Sequence, residues 1–324
     1  MSKSAFSYFI VMLKGMAMGA ADVVPGVSGG TIAFISGIYE ELIETIDRLD
    51  FGIFKVLKSE GFKAMFLQYN LRFLISLFAG VFISILSLAK LISYLLENHP
   101  IIVWSFFFGL VIASIIYVGR QITKWNFSII LATIIGIVVA YYITIATPTQ
   151  APTALYFFFL SGCIAIIAMI LPGVSGSFIL VLLGSYGMII GTITDFQESI
   201  FAQDWDLFKK SFIKLFLFGL GCIIGLKLFS KALKWMFAHK KELILAVLTG
   251  FMIGSLNKIW PWKKILSTRI DRHGEEVPLL EKSILPSSFE GESLVMYAII
   301  FAIIGFLVIF LLERLAVSRK VDAN

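Results

Sequence analysis

A helix-breaking string of six residues occurs twice in this chain, each time inside a long apolar stretch. Residues 25–30 read PGVSGG and residues 172–177 read PGVSGS, an offset of 147 between the two prolines. Lipid hydrocarbon offers no partner to free backbone amides, so broken helix at membrane depth is tolerated only inside protein or beside a wet cavity. One such break in each half of a membrane protein is the best sequence pointer to a transport site.

Composition places the chain in a membrane. It is 59% hydrophobic and only 15% charged, with a mean hydropathy of +0.93, whereas soluble domains carry about 25% charged residues. Cys163 and Cys222 lie in apolar runs, and the three histidines lack metal-ligand spacing. We therefore expect no disulfide, metal or cofactor. The net charge of +6 is spread over loops in a way that indicates membrane topology rather than nucleic-acid binding.

Six apolar segments are long enough to cross a bilayer. They lie at about 71–96, 101–119, 127–147, 211–235, 243–260 and 294–312. Two further stretches, 5–45 and 154–193, are split by the PGVSG string, and each half is shorter than the ~20 residues that a span needs. We interpret each as a re-entrant hairpin of two half-helices. Lys14 interrupts the apolar run at the N-terminus. We therefore expect this N-terminal segment to belong to the mature chain rather than to be a signal peptide.

The repeat extends beyond the string. At the offset of 147, Gly15, Ala21, Gly37 and Tyr39 match Gly162, Ala168, Gly184 and Tyr186. From residue 80 to residue 221, an offset of 141, Gly80, Lys90, Gly109 and Ser114 match Gly221, Lys231, Gly250 and Ser255. Each half, 1–150 and 151–324, is then a hairpin followed by three spans. Three is odd, so the second half must be inverted. The predicted fold is an all-α polytopic membrane protein with two inverted-topology repeats.

Loop charges favour cytoplasmic N- and C-termini. The loops then assigned to the cytoplasm carry Arg48, Lys55, Lys58, Lys63, Arg120, Lys124, Lys234, Lys240, Lys241, Arg314, Arg319 and Lys320. The exception is the connection 261–293, which carries five basic residues on the other side.

The two tips have the chemistry of an anion site. A half-helix that begins after Ser28 presents unpaired N–H groups and the positive end of its dipole, which suits phosphate or carboxylate. The candidate substrate-binding residues are Lys14, Pro25, Gly26, Ser28, Gly29, Gly30, Thr31, Pro172, Gly173, Ser175, Gly176 and Ser177. Lys14 would be the cation, with snorkelling to the interface as the alternative. The other glycines, such as Gly15, Gly19, Gly80, Gly109 and Gly250, are expected only to allow close helix packing.

Two carboxylates are candidates for ion coupling. Asp22 lies three residues before Pro25, inside an apolar run, and Glu40 lies near the end of the first hairpin. An intramembrane carboxylate is a functional candidate by default. The alternative for Asp22 is that it caps the turn of residues 24–28. The alternative for Glu40 is a position at the membrane interface.

The residues 20–33, 37–40 and 250–256, followed by Trp260-Pro261-Trp262, carry a family resemblance. With them the chain resembles the bacterial polyprenyl-phosphate transporters of the PopT type. That resemblance implies translocation of undecaprenyl phosphate, the carrier lipid of cell-wall synthesis, from the outer to the inner leaflet of the cytoplasmic membrane. It also implies that Asp22, Glu40 and the two tips belong to the site. The lipid comes only from the resemblance, because the residues themselves indicate an anion transporter.

Two other functions stay open from the sequence. The same tips could serve a transporter of a small soluble anion. A membrane lipid phosphatase is disfavoured, because no histidine lies near the tips and no Ser/His/Asp or metal set is present. The expected partners are the polyprenyl-phosphate substrate and membrane lipids, without nucleic acid, and a homo-oligomer is left open.

Overall fold

The computed structural model describes residues 5–24, 27–270 and 276–321, so Pro25 and Gly26 of the predicted site lie outside the described residues. The described chain is mostly helical, as predicted. Its α-helices are α1 (Ala5–Val23), α2 (Gly29–Ile35), α3 (Tyr39–Arg48), α4 (Gly52–Gln68), α5 (Leu71–Asn98), α6 (Pro100–Gly119), α7 (Phe127–Ile145), α8 (Leu155–Ile170), α9 (Gly176–Leu182), α10 (Tyr186–Ala202), α11 (Trp205–His239), α12 (Lys241–Ser255) and α13 (Val295–Val321).

Within the described residues, five helices are long and apolar enough to cross a membrane: α1, α5, α6, α7 and α11. A sixth span results if α9 and α10, which meet at 104°, are counted as one broken span. This supports the prediction of a multi-pass membrane protein. Two details differ from it. At 19 residues, α1 is long enough to span by itself, whereas α12 has only 15 residues.

Four helix pairs pack with their backbones in contact: α1 with α5, α8 with α11, α6 with α13, and α7 with α12. In each pair a glycine of one helix faces a carbonyl oxygen of the other, and the relation is reciprocal. The facing groups are Gly15 and Leu77 O, Gly80 and Met12 O, Gly162 and Phe218 O, Gly221 and Phe159 O, Gly109 and Ala302 O, Gly305 and Phe106 O, Gly136 and Val247 O, and Gly250 and Thr133 O. A Cβ at any of these glycines would collide with backbone. The packing role expected for such glycines is confirmed.

Each split apolar stretch is broken twice, where the sequence predicted one break. The first breaks follow α1 and α8, and the second breaks follow α2 and α9, which have seven residues each. Gly37 (φ +72°) and Gly184 (φ +67°) end these short helices in the left-handed conformation. Ile38 N bonds to Ala33 O, and Ser185 N bonds to Leu180 O in the same pattern. This is the Schellman end of a helix, where glycine is the favoured residue.

The connection 261–293, expected to be a loop, contains a β-hairpin. Strands β1 (Lys263–Ile270) and β2 (Glu276–Ser283) pair antiparallel, so the chain is not purely helical. Trp260 Nε1 donates to Ile284 O at 2.8 Å at the base of the hairpin, and Trp262 Nε1 donates to Ser293 O at 2.7 Å, just before α13. The hairpin is therefore attached firmly to the end of α12.

Candidate functional site

The two helix-breaking tips touch each other directly. Ser28 Oγ donates to Leu171 O at 3.2 Å and to Met169 O at 3.3 Å, at the end of α8. In return, Gly173 N donates to Thr31 Oγ1 at 2.9 Å. The backbones are close as well, because a Cβ on Gly30 would lie 2.5 Å from Ile170 O. The hydroxyls predicted to bind substrate thus join the two halves in this conformation.

Both ends of α2 are bound by charged side chains from α1. Asp22 Oδ1 accepts a hydrogen bond from Gly29 N at 2.6 Å, at the N-terminus of α2. Lys14 Nζ donates to Ser36 O at 2.5 Å, at its C-terminus. An acid at the N-terminus and a base at the C-terminus of a helix both interact favourably with its dipole and stabilise it. The chain's own carboxylate therefore occupies the position where the sequence predicted a bound anion. Lys14 lies about 10 Å away, at the other end of the seven-residue helix.

The second tip lacks the side-chain cap that the first tip has. Position 169, which corresponds to Asp22, is a methionine, and no side chain caps the N-terminus of α9. Ser175 Oγ lies 3.0 Å from Ser177 Oγ. Beside this tip is a small pocket lined by Ala140, Ile143, Thr144, Gly173, Val174, Ser175, Phe178 and Lys258. Its cavity of about 10 Å³ has room for about one water molecule, so the pocket is too small for a phosphate group in this conformation.

Lys258 is a residue of this pocket that the sequence analysis missed. Its Nζ lies 3.2 Å from Glu281 Oε2 and 4.5 Å from the ring centre of Phe178. Lys263 Nζ lies 3.6 Å from the same Glu281 oxygen and 3.6 Å above the ring of Trp104. The only available signal was the position of Lys258 between Gly250 and Trp262, two residues that carry the family resemblance.

Burial shapes the charges of this cluster. The side chains of Lys258, Lys263 and Glu281 are only 15%, 8% and 20% exposed. Burial lowers the pKa of Lys263 to about 8, against the opposing attraction of Glu281. For Glu281, burial acts to raise the pKa, but the two lysines outweigh it and the pKa is lowered. Glu281 is therefore held as a carboxylate between two ammonium groups.

Comparison with known proteins identifies the family. A family model described as undecaprenyl phosphate translocase-like matches residues 18–277, which include both tips and Lys258. The chain belongs to this translocase-like family. The resemblance drawn from the sequence is confirmed.

Two relatives with the same name match most of the chain. A polyprenyl-phosphate transporter of Vibrio cholerae is 47% identical over 290 residues, covering 90% of each chain. A polyprenyl-phosphate transporter of Staphylococcus aureus is 34% identical over 265 residues, covering 78% of this chain and 86% of its own length. No solved structure matches the fold.

In this translocase-like chain, Glu40 lies apart from the tips. It is in the first turn of α3, and its Oε1 accepts from Lys241 Nζ at 2.8 Å, with both side chains about half exposed. The structure thus brings Asp22 to the first tip but does not bring Glu40 there.

A second cavity of about 180 Å³ lies between α6 and α13. It is lined by Ala113, Ile116, Tyr117, Arg120, Phe306, Ile309 and Phe310. Tyr117 corresponds to Lys258 at the offset of 141. Among the described residues, no group of three or more His, Cys, Asp or Glu side chains is placed to hold a metal ion.

Proposed function

We propose that this protein transports polyprenyl phosphate, specifically undecaprenyl phosphate, from the outer to the inner leaflet of the bacterial cytoplasmic membrane. Its 47% identity over 90% of the length of a protein named polyprenyl-phosphate transporter carries the proposal. The carrier lipid would thereby return to the face where cell-wall precursors are loaded. Transport, rather than phosphate-ester hydrolysis, also suits a site without a histidine or metal set.

We further propose that the two halves, 1–150 and 151–324, are inverted repeats with both termini in the cytoplasm. The matching glycine contacts support this arrangement: Gly15 and Gly80 join α1 to α5 as Gly162 and Gly221 join α8 to α11. The matching Schellman ends at Gly37 and Gly184 support it as well. In transporters built this way, substrate sites lie where the repeats meet.

The tips are the proposed phosphate site. Once its pocket opens, the second tip would receive the phosphate through Pro172, Gly173, Ser175, Gly176 and Ser177. The first tip would receive the phosphate when its contacts with Leu171 and Gly173 break. The residues that would bind it there are Pro25, Gly26, Ser28, Gly29, Gly30 and Thr31. A pseudo-symmetric exchange between the tips is one way to present a single site to each leaflet in turn.

We propose that transport is coupled to a cation, through Asp22. A phosphate monoester carries about −1.5 to −2 charges at pH 7, and moving one charge against 100 mV costs about 2.3 kcal/mol. Protonation of Asp22 would neutralise the acid at Gly29 N and compensate part of the substrate charge. Glu40, paired with Lys241 at the surface, is the second candidate.

Transport of labelled undecaprenyl phosphate into proteoliposomes tests the function. We expect uptake by the wild-type protein, and a response to a pH gradient at fixed membrane potential. Asp22→Asn should remove that response and leave the protein folded, with Glu198→Gln at an exposed position of α10 as its control. Failure of the wild type to move the lipid would refute the proposed function. Competition by inorganic phosphate would favour a soluble anion, and release of phosphate from the lipid would favour a phosphatase.

A further inference from the structure

The cluster of Lys258, Lys263 and Glu281 has more positive than negative charge. Among the described residues, Glu281 is the acid that pairs with either lysine, so two cations share one anion. All three side chains are at least four-fifths buried. A buried charge without a full partner is costly, and this one persists within a folded domain. The rings of Phe178 and Trp104 stabilise the two cations in part, but the cluster keeps a net positive charge that a further anion would neutralise.

Lys258 connects the cluster to the second tip. Lys258 lines the same pocket as Gly173 and Ser175, so its ammonium group and the hydroxyl of Ser175 border one small space. Apart from Thr144, the other side chains that line this space are apolar: Ala140, Ile143, Val174 and Phe178. An anion with an apolar tail matches this lining better than a free, fully hydrated ion does.

We propose that Lys258, supported by the charge of Lys263, binds the phosphate monoester of the lipid at the second tip. Glu281 forms an ion pair with Lys258 until the phosphate displaces it. This inference rests on the proposed function and assigns one subsite within it. The pocket now holds about one water's volume. Release of Lys258 from Glu281 would therefore have to accompany opening of the pocket. Because Glu281 belongs to β2, the hairpin would move with it.

Binding of farnesyl phosphate to the purified full-length protein in detergent, measured by calorimetry, tests this subsite. Lys258→Gln should weaken binding by about tenfold or more, the order expected when one partner of a buried charge pair is lost. Lys258→Arg keeps the charge and should retain binding. Glu281→Gln should strengthen binding several-fold, because it removes the internal competitor. The matched control is Lys264→Gln, since Lys264 lies on the same hairpin but pairs with Glu290 in an exposed position.

If Lys258→Gln folds poorly, the change of affinity in Glu281→Gln still tests whether Glu281 competes with the phosphate for Lys258. Weaker binding in Glu281→Gln, or unchanged binding in Lys258→Gln, would overturn the proposal. Loss of binding in Arg120→Gln with Lys258→Gln unaffected would overturn it as well and place the phosphate in the cavity between α6 and α13.

Two ligand controls identify the source of the phosphate. Farnesol, which lacks the phosphate, should bind equally to the wild type and to Lys258→Gln. Inorganic phosphate should bind more weakly than farnesyl phosphate, and equal affinity would overturn the lipid assignment. Transport by the wild type in proteoliposomes is measured separately. A wrong subsite would leave that transport intact, whereas a wrong function would abolish it.

Discussion

Asp22 and Lys14 bind opposite ends of the same short helix. Asp22 accepts from Gly29 N at the start of α2, and Lys14 donates to Ser36 O at its end. Both lie on α1, eight positions apart in sequence, which is about 12 Å along a helix. This is close to the length of α2, so a single helix can hold both ends of α2.

Asp22 should contribute to stability as a cap of α2. Asp22→Ala is expected to lower the free energy of unfolding by about 1 kcal/mol, as loss of an N-terminal cap does. Asp22→Asn should lose less, because an amide oxygen also accepts a hydrogen bond. Thermal unfolding in detergent measures both, with Glu198→Ala on the exposed face of α10 as control. Equal stability of Asp22→Ala and the wild type would show that this cap contributes nothing.

Lys14 should stabilise the other end of α2. Lys14→Gln removes the cation from the C-terminus of the helix and is expected to cost about 0.3–2 kcal/mol. Lys58→Gln, at an exposed position of α4, is the matched control and should leave the melting temperature unchanged. If the two variants melt alike, the contact between Lys14 and Ser36 is dispensable.

Gly30 should tolerate no side chain. In Gly30→Ala the new methyl group would lie 2.5 Å from Ile170 O, and backbone on the opposite tip cannot move aside as a side chain can. We expect a clear loss of both thermal stability and transport. Gly187→Ala is the control, because nothing lies within 4 Å of a Cβ at that position. Normal transport by Gly30→Ala would mean that the tips need not touch.

Thr31 should hold the two tips together through its hydroxyl. Thr31→Val keeps the shape of the side chain but leaves the amide of Gly173 without its acceptor, at an expected cost of about 1–3 kcal/mol. The effect should appear in the unfolding temperature. Thr194→Val, on an exposed face of α10, should have little effect by comparison. A silent Thr31→Val would indicate that the amide of Gly173 finds another partner.

Lys263 should make stability depend on pH. Its pKa in the folded chain is about 8, below the 10.5 of an ordinary lysine. Between these values the unfolded chain binds more protons, so the penalty that this residue imposes on the folded state decreases as pH rises from about 8 towards 10.5. The charged groups facing it are Glu281 on β2 and Lys258 after α12. The melting temperature of the wild type, relative to Lys263→Met, should therefore increase over that range; a constant difference would contradict this.

Sequence alone could predict the features that depend on local chemistry. The helix breaks follow from proline and glycine within apolar runs, and the packing glycines follow from their matched positions. The second break in each half was missed although Gly37 and Gly184 had been matched. Both glycines lie inside the stretches assigned to single hairpins, 5–45 and 154–193, and only the left-handed backbone reveals the helix end.

Contacts between distant segments could not be predicted in this way. The sequence allowed a local cap as one role of Asp22, but nothing in the order of residues shows that Lys14 contacts the other end of α2, because that contact depends on how α1 packs against α2. The basic residues of 261–293 also conflicted with the charge rule, which treats lysines as free loop charges. Lys263 is instead buried against Trp104 and Glu281, where its charge is local to a folded hairpin.

The glycine contacts described above have a mechanical consequence. Where two helices touch through backbone atoms, no rotamer change can relieve a shift, so sliding or rolling would disrupt the whole seam. We therefore expect the four helix pairs to move as stiff units. A lateral gap wide enough for a polyprenyl chain should then open between pairs rather than within them. The backbone leaves the helical conformation at His99, between α5 and α6, and at Lys240, between α11 and α12, and we expect these two junctions to act as the hinges.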